Sequence, residues 1–173
     1  GYGEGVVAAG KKNGNVVVLC ADLSESTRSD MFRDAFPDRF IQLGVSEQSM
    51  AAIAGGLALE GKIPFIASYA TFSPGRNLEQ IRMCAAIQNM PMKIVGCHAG
   101  VSVGPDGATH QALEDIAIMR VLPNMTVLSP CDALEARRAV EASIEIDGPV
   151  YIRLAREATP VFTTLKTPTN SVS

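Results

Sequence analysis

Short apolar runs with no polar face most limit the folds open to this chain. Val16–Cys20 (VVVLC) is rich in β-branched side chains and bounded by turn residues. No polar alternation breaks it, so it predicts a strand buried on both faces, as strands of parallel sheets are. Comparable runs recur at Phe40–Leu43, Lys62–Ser68, Met92–Cys97, Thr126–Leu128 and Val150–Leu154. Helical patterns separate them: the stretch closed by Lys12-Asn13-Gly14, then Phe32–Phe36, the run from Glu47, Asn77–Asn89, Leu113–Val121 and Asp132–Ile146. This alternation predicts an α/β fold with three layers, helices on both sides of a mostly parallel sheet. Phe40–Leu43 reads as its central strand.

The chain is organised around FIQLGVSEQSMAAIAGGLALE, Phe40–Glu60. An apolar run ends, Gly44 and Ser46 supply the turn, and a helix of small residues begins at Glu47. A lone acid thus sits where a strand gives way to a helix, the edge at which open α/β sheets bind ligands. The plain alternative is a first-turn acid that complements the helix dipole, worth about 0.5 kcal/mol. The helix itself argues for more than that. Gly55 and Gly56 cost it roughly 2 kcal/mol of helix propensity, so its surface suits close approach by another helix, a subunit or a ligand.

Length and composition set the remaining bounds. The 173 residues, 47% hydrophobic and 19% charged, are ordinary for one globular domain with a real core. Net charge is −3 with no basic run, which argues against nucleic acid as a partner. Cys20, Cys84, Cys97 and Cys131 are widely spaced in apolar runs without a CxxC pair, so buried free thiols in a reducing cytoplasm are the expected state. No run of 18 apolar residues points to a membrane. The chain opens on Gly1 inside a helical pattern, as a trimmed protein or a fragment would. The domain is expected over residues 1–157, and 158–173, rich in Thr, Pro and Ser, is expected to be a linker or disordered tail.

Polar residues gather after the strands: Asp22, Ser24 and Ser26; Glu47 and Gln48; Tyr69, Phe72 and Arg76; His98, Asp106 and His110; Arg153 and Arg156. In a parallel sheet these loops leave on one edge, so the groups should converge. Both histidines fall within thirteen residues, and histidine exchanges protons near neutral pH. Arginine suits capture of a phosphate or carboxylate. No metal constellation, GxSxG elbow, GxGxxG or Walker A motif is present.

GVSEQSMAAIAGGLALEGKIPF, VGCHAGVSVGPDGATHQALEDIAIMRVLPNMTVLSPCDALE and GPVYIRLARE resemble segments of the pyrimidine-binding domain of transketolase-type thiamine-diphosphate enzymes. The resemblance runs from about Gly3 to Arg156, and its wording is nearest the C-terminal chains of split transketolases. It implies the thiamine-diphosphate-binding fold. It further implies that Glu47 hydrogen-bonds a ring nitrogen of the cofactor's aminopyrimidine and so activates it. By the same resemblance Phe72 stacks on that ring with Tyr69 beside it, and Asp22 is an acid near the thiazolium. His98 and His110 act in catalysis and contact the sugar, and Asp106 reads a hydroxyl. His98, Arg156 and Ser26 meet the phosphate.

The implied reaction is transfer of a two-carbon ketol unit between sugar phosphates, with the cofactor as electron sink. The family's diphosphate and Mg2+ sit on a separate domain carrying a GDG motif, which this sequence lacks. The resemblance therefore implies half a site, completed by a diphosphate-binding domain or subunit in a homodimer or heterotetramer. Two other readings share the fold: a fragment of a 1-deoxyxylulose-5-phosphate synthase, and a non-catalytic assembly module.

Overall fold

The computed structural model describes residues 1–167. Its strands are β1 (Val16–Cys20), β2 (Phe40–Gln42), β3 (Ile63–Tyr69), β4 (Lys93–Cys97), β5 (Thr126–Leu128) and β6 (Val150–Arg153). They form one sheet in the order β2-β1-β3-β4-β6-β5, every pair parallel. The helices are α1 (Tyr2–Lys12), α2 (Ser24–Thr27), α3 (Asp30–Ala35), α4 (Glu47–Leu59), α5 (Leu78–Ile81), α6 (Asp115–Arg120) and α7 (Ala133–Ser143).

The expected three layers are present. Val16 and Val18 of β1 pack with Val6 of α1, Phe32 of α3 and Val140 of α7 on one face. Val17 and Leu19 pack with Met50 and Ala54 of α4, Ile81 of α5 and Met119 of α6 on the other. Successive residues of one strand thus enter opposite cores, which is why β1 and β4 are buried at every position.

Besides the cysteines, of which Cys20 and Cys97 are buried but Cys84 is half-buried and Cys131 exposed, three features differ from the sequence reading. β2 is an edge strand rather than the central one. It is three residues long and only partly buried, and Gln42 turns its side chain to the neighbouring loop, donating to Ser24 Oγ at 3.0 Å. The expected helix over 77–89 is one α-turn followed by a wider π-turn, Arg82–Ala86, with Ile87 N–H bonded to Arg82 O. The third is Lys93, which opens an otherwise apolar run and is fully buried, its Nζ donating to the carbonyls of Ile146 (2.8 Å) and Gly148 (2.9 Å). Burial pushes its pKa down to about 8.

Part of the expected tail is docked on the domain. The Asp132 carboxylate caps α7 through Glu135 N–H and also accepts from the backbone N–H groups of Phe162 and Thr163. These bonds hold its carboxyl well below the usual carboxylate range. Residues 168–173 of the expected tail lie outside the described residues.

The tandem glycines of α4 have separate reasons. A Cβ on Gly55 would lie 2.6 Å from Cys84 Cβ in the π-turn, whereas one on Gly56 would meet nothing within 4 Å. Gly55→Ala is expected to destabilise the chain by about 1–3 kcal/mol through overpacking. Gly56→Ala is expected to leave it unchanged or raise stability by up to about 1 kcal/mol. Denaturant midpoints at constant m value measure both, and equal effects would remove the packing account of this pair.

Candidate active site

Glu47 is not a surface acid. The buried residues of α4 are Glu47, Met50, Ala51, Ala54, Gly55 and Ala58, a spacing of three and four that marks one helix face. Glu47 is the first member of that stripe, and its side chain is 2% exposed. Its compensation comes from the loop after β3. Arg76 Nη1 donates to Glu47 Oε2 at 2.7 Å, and Asn77 Nδ2 donates to the Glu47 carbonyl at 3.0 Å. Among the described residues no protein group hydrogen-bonds Oε1. Gly75 makes the approach possible, because a Cβ there would collide with the Thr71 carbonyl oxygen.

From Arg76 a chain of flat groups leads away from the carboxylate. The guanidinium lies over the Phe72 ring, 4.6 Å from its centroid. Phe72 and Tyr69 are nearly parallel, 8° apart in plane with centroids at 6.1 Å. His98 stacks on the other partner, Tyr69, at 4.0 Å. His110 sets its ring edge-on to Phe72 at 5.2 Å and bonds Thr109 Oγ1 through Nδ1. The end of β3, the loop after it and the loop after β4 thus supply four rings in contact.

His98 joins this aromatic group to a cleft of about 310 Å3 whose wall includes Ser26, Arg28, Cys131 and Arg156. The His98 backbone is in the left-handed region, φ +55°, and its Nδ1 is buried without a partner. Burial pushes the imidazole pKa down, the nearby Arg156 charge adds to that, and Asp106 opposes it. Arg156 Nη1 donates to Val103 O at 2.6 Å, which ties the last post-strand loop to the turn Val101–Asp106.

The structure therefore brings Tyr69, Phe72, His98 and His110 together directly, joins Glu47 to them through Arg76, and gathers His98, Ser26 and Arg156 around the cleft. Asp106 is exposed at the end of its turn, near enough to His98 to act on its charge. Asp22 is exposed after β1, its N–H held by Gln42 Oε1 at 2.8 Å. Arg153 is committed elsewhere, bonding Asp115 Oδ2 at 2.9 Å beside the Tyr151 hydroxyl. The strand order reverses between β1 and β3, so the loops of Asp22, Glu47 and Tyr69 flank a topological switch point. The sequence reading gave no role to Arg76, Asn77 or Arg28. A guanidinium next to Pro-Gly and a base two residues after Ser26 were the signals available. Among the described residues no three His, Cys, Asp or Glu side chains could share a metal ion, and no helix is long and apolar enough to cross a membrane.

Residues 1–161 match the family model described as the transketolase pyrimidine binding domain. A Methanocaldococcus jannaschii protein named as a putative transketolase C-terminal section is 48% identical over 161 residues, covering 93% of this chain and 51% of that protein. A solved split-gene transketolase described as an inactive β4 tetramer superposes with a TM-score of 0.83 at 45% identity, covering 94% of this chain and 52% of that one. Transketolase from Campylobacter jejuni gives 0.81 at 28% identity, over 95% of this chain and 27% of that one. The chain thus spans about half the length of the split relatives it matches.

The His98 environment has a measurable consequence. Its imidazole should titrate below the ordinary 6.5 in an NMR pH series. Arg156→Ala should raise that pKa by removing a neighbouring positive charge, and Asp106→Asn should lower it further. Because the folded pKa is depressed, the unfolded chain binds the proton first as pH falls through 6.5, so His98 costs stability below that pH. Unchanged titration in both variants would disconnect the cleft from the histidine.

Proposed function

The chain belongs to the transketolase family as a pyrimidine-binding domain, and from that premise we propose that it supplies the cofactor-activating and sugar-binding half of a ketol-transferring enzyme. The single observation that carries the reading is the buried Glu47 carboxylate, held at Oε2 by Arg76 and left open at Oε1, and linked by that guanidinium to the parallel rings of Phe72 and Tyr69. A flat heterocycle with a ring nitrogen fits such a place, as the aminopyrimidine of thiamine diphosphate requires. When bound, that cofactor supplies an electron sink for breaking and forming the carbon–carbon bond beside a ketose carbonyl.

This chain's residues do the rest. Glu47 Oε1 holds a proton at the ring nitrogen, and Arg76 offsets the cost of keeping the carboxylate out of water. Phe72 gives the ring a face to lie on, with Tyr69 behind it. His98 and His110 border the place where the sugar's reacting end would lie and can hold or pass protons there. Asp106 reads a hydroxyl near the carbonyl, and Asp22 adds an acid near the thiazolium. Ser26 and Arg156 take the sugar's phosphate in the cleft.

The diphosphate and Mg2+ are assigned to a second domain or subunit, in a dimeric or heterotetrameric assembly working on pentose-type sugar phosphates in the cytoplasm. A split-gene relative described as an inactive β4 tetramer is in keeping with a chain that holds part of a site. The outward face of α4, with Ile53 and Leu59 exposed and Gly56 open, is the surface offered to the partner.

Purified chain is to be assayed for ketol transfer with thiamine diphosphate and Mg2+, alone and mixed with a diphosphate-binding transketolase chain. Activity is expected in the mixture only. In that mixture Glu47→Gln should lower kcat by at least about 100-fold with the denaturation midpoint retained. Undiminished transfer by this variant would sink the assignment of Glu47, and transfer by the chain alone would sink the half-site.

A further inference from the structure

The cleft that contains Ser26, His98 and Arg156 has a second arginine on its wall, Arg28. Its backbone lies in the left-handed region, φ +66°, which favours glycine. The conformation follows from local packing. Arg28 closes α2 with its N–H on the Glu25 carbonyl, and α1 approaches so closely that a Cβ on Gly3 would lie 2.8 Å from the Arg28 oxygen. Glycine would suit this position, yet an arginine occupies it.

Neither arginine of the cleft is ion-paired: among the described residues neither Arg28 nor Arg156 has a carboxylate oxygen within 4 Å, in contrast to Arg33, Arg76, Arg137 and Arg153. Two acids line the same cleft. Asp132 accepts from Glu135, Phe162 and Thr163, and Glu157 forms no ion pair among the described residues. A half-buried imidazole with an orphaned Nδ1 completes the wall. Two guanidiniums without ion pairs in one cleft fit a small, doubly charged oxyanion, since guanidinium presents a fork of donors that matches phosphate.

We propose that Arg28 is a specificity-determining residue: with Arg156 it makes this end of the cleft select a sugar that ends in a phosphate dianion over one that ends in a neutral hydroxymethyl group. The inference rests on the sugar-phosphate reading above and adds to it the residue that reads the charge. No bond is made or broken at this end; Arg28 acts on affinity.

The test separates charge from backbone geometry. Arg28→Lys, Arg28→Gly and Arg28→Met are made in this chain and combined with the diphosphate-binding subunit. The kcat/KM values for glyceraldehyde 3-phosphate and for glyceraldehyde as acceptors are compared. In Arg28→Met and Arg28→Gly the preference for the phosphorylated acceptor should fall by about tenfold or more, through KM, while Arg28→Lys keeps more of it than either. Glycine is the residue the backbone prefers. A preference that survives in Arg28→Gly and is lost in Arg28→Lys would assign the position to conformation and overturn the proposal.

A second measurement stands apart from turnover. Inorganic phosphate is titrated into the chain while the His98 ring signals are followed by NMR. The wild-type shifts should saturate, and Arg28→Gly should weaken the apparent affinity about tenfold. Equal affinities, or no saturable shift for the wild type, overturn the assignment of Arg28. If the mixed enzyme shows no ketol transfer, the sugar reading fails by itself, and the phosphate titration still decides whether Arg28 holds the anion.

Discussion

Removing a carboxylate from water costs several kcal/mol, and the candidate site is built around one of the places where this chain does so. Glu47 is buried because α4 presents it on the face that packs on the sheet. The offsetting charge arrives from another loop, 29 residues later, and only at one of the two oxygens. Everything beside the carboxylate then has a fixed place. Arg76 must reach back from the β3 loop, Gly75 must let that loop fold closely over the Thr71 carbonyl, and Phe72 lies under the guanidinium. A buried half-compensated acid is a poor stabiliser and a good chemical group, a combination found where function overrides packing.

The parallel sheet does the gathering. Because every strand points the same way, the loops after β1, β2, β3, β4 and β6 meet at one edge. His98 is the junction. One face of its ring stacks on Tyr69, in the aromatic group next to Glu47, and the residue also lines the cleft shared with Arg156. The aromatic group and the cleft therefore share a side chain. A change of charge in the cleft is felt directly by a ring that touches the aromatic cluster.

The sequence carried some of this and could not carry the rest. β1 was legible to the residue because an apolar run with turns at both ends has one reading. The place of β2 was not, since periodicity says which residues are buried but is silent on strand order. Its own Gln42, which serves a neighbouring loop, is what an edge tolerates. The helix over 77–89 was visible as an apolar stripe. Its π-turn was not, because the extra residue per turn answers to the close contact of Cys84 with Gly55. Lys93 hides in an apolar run because two carbonyls from the loop before β6 receive it. Among the site residues, Glu47, Phe72 and the two histidines stood out by type and position. The Arg76 pairing did not, since no local spacing links residues so far apart.

The stripe on α4 has one more implication, for how such chains can vary. Glu47 owes its burial to helical phase: it is in register with Met50, Ala51 and Ala54. One residue inserted between Glu47 and Met50 would swing the acid by about 100° relative to the rest of the helix, onto the solvent side, while the apolar stripe below stayed seated. The fold would survive and the acid would be lost from the site. Length changes near the head of α4 thus remove the buried acid and its pairing with Arg76 while the apolar stripe keeps the fold. Loops such as Tyr69–Asn77 can lengthen or shorten without touching that phase.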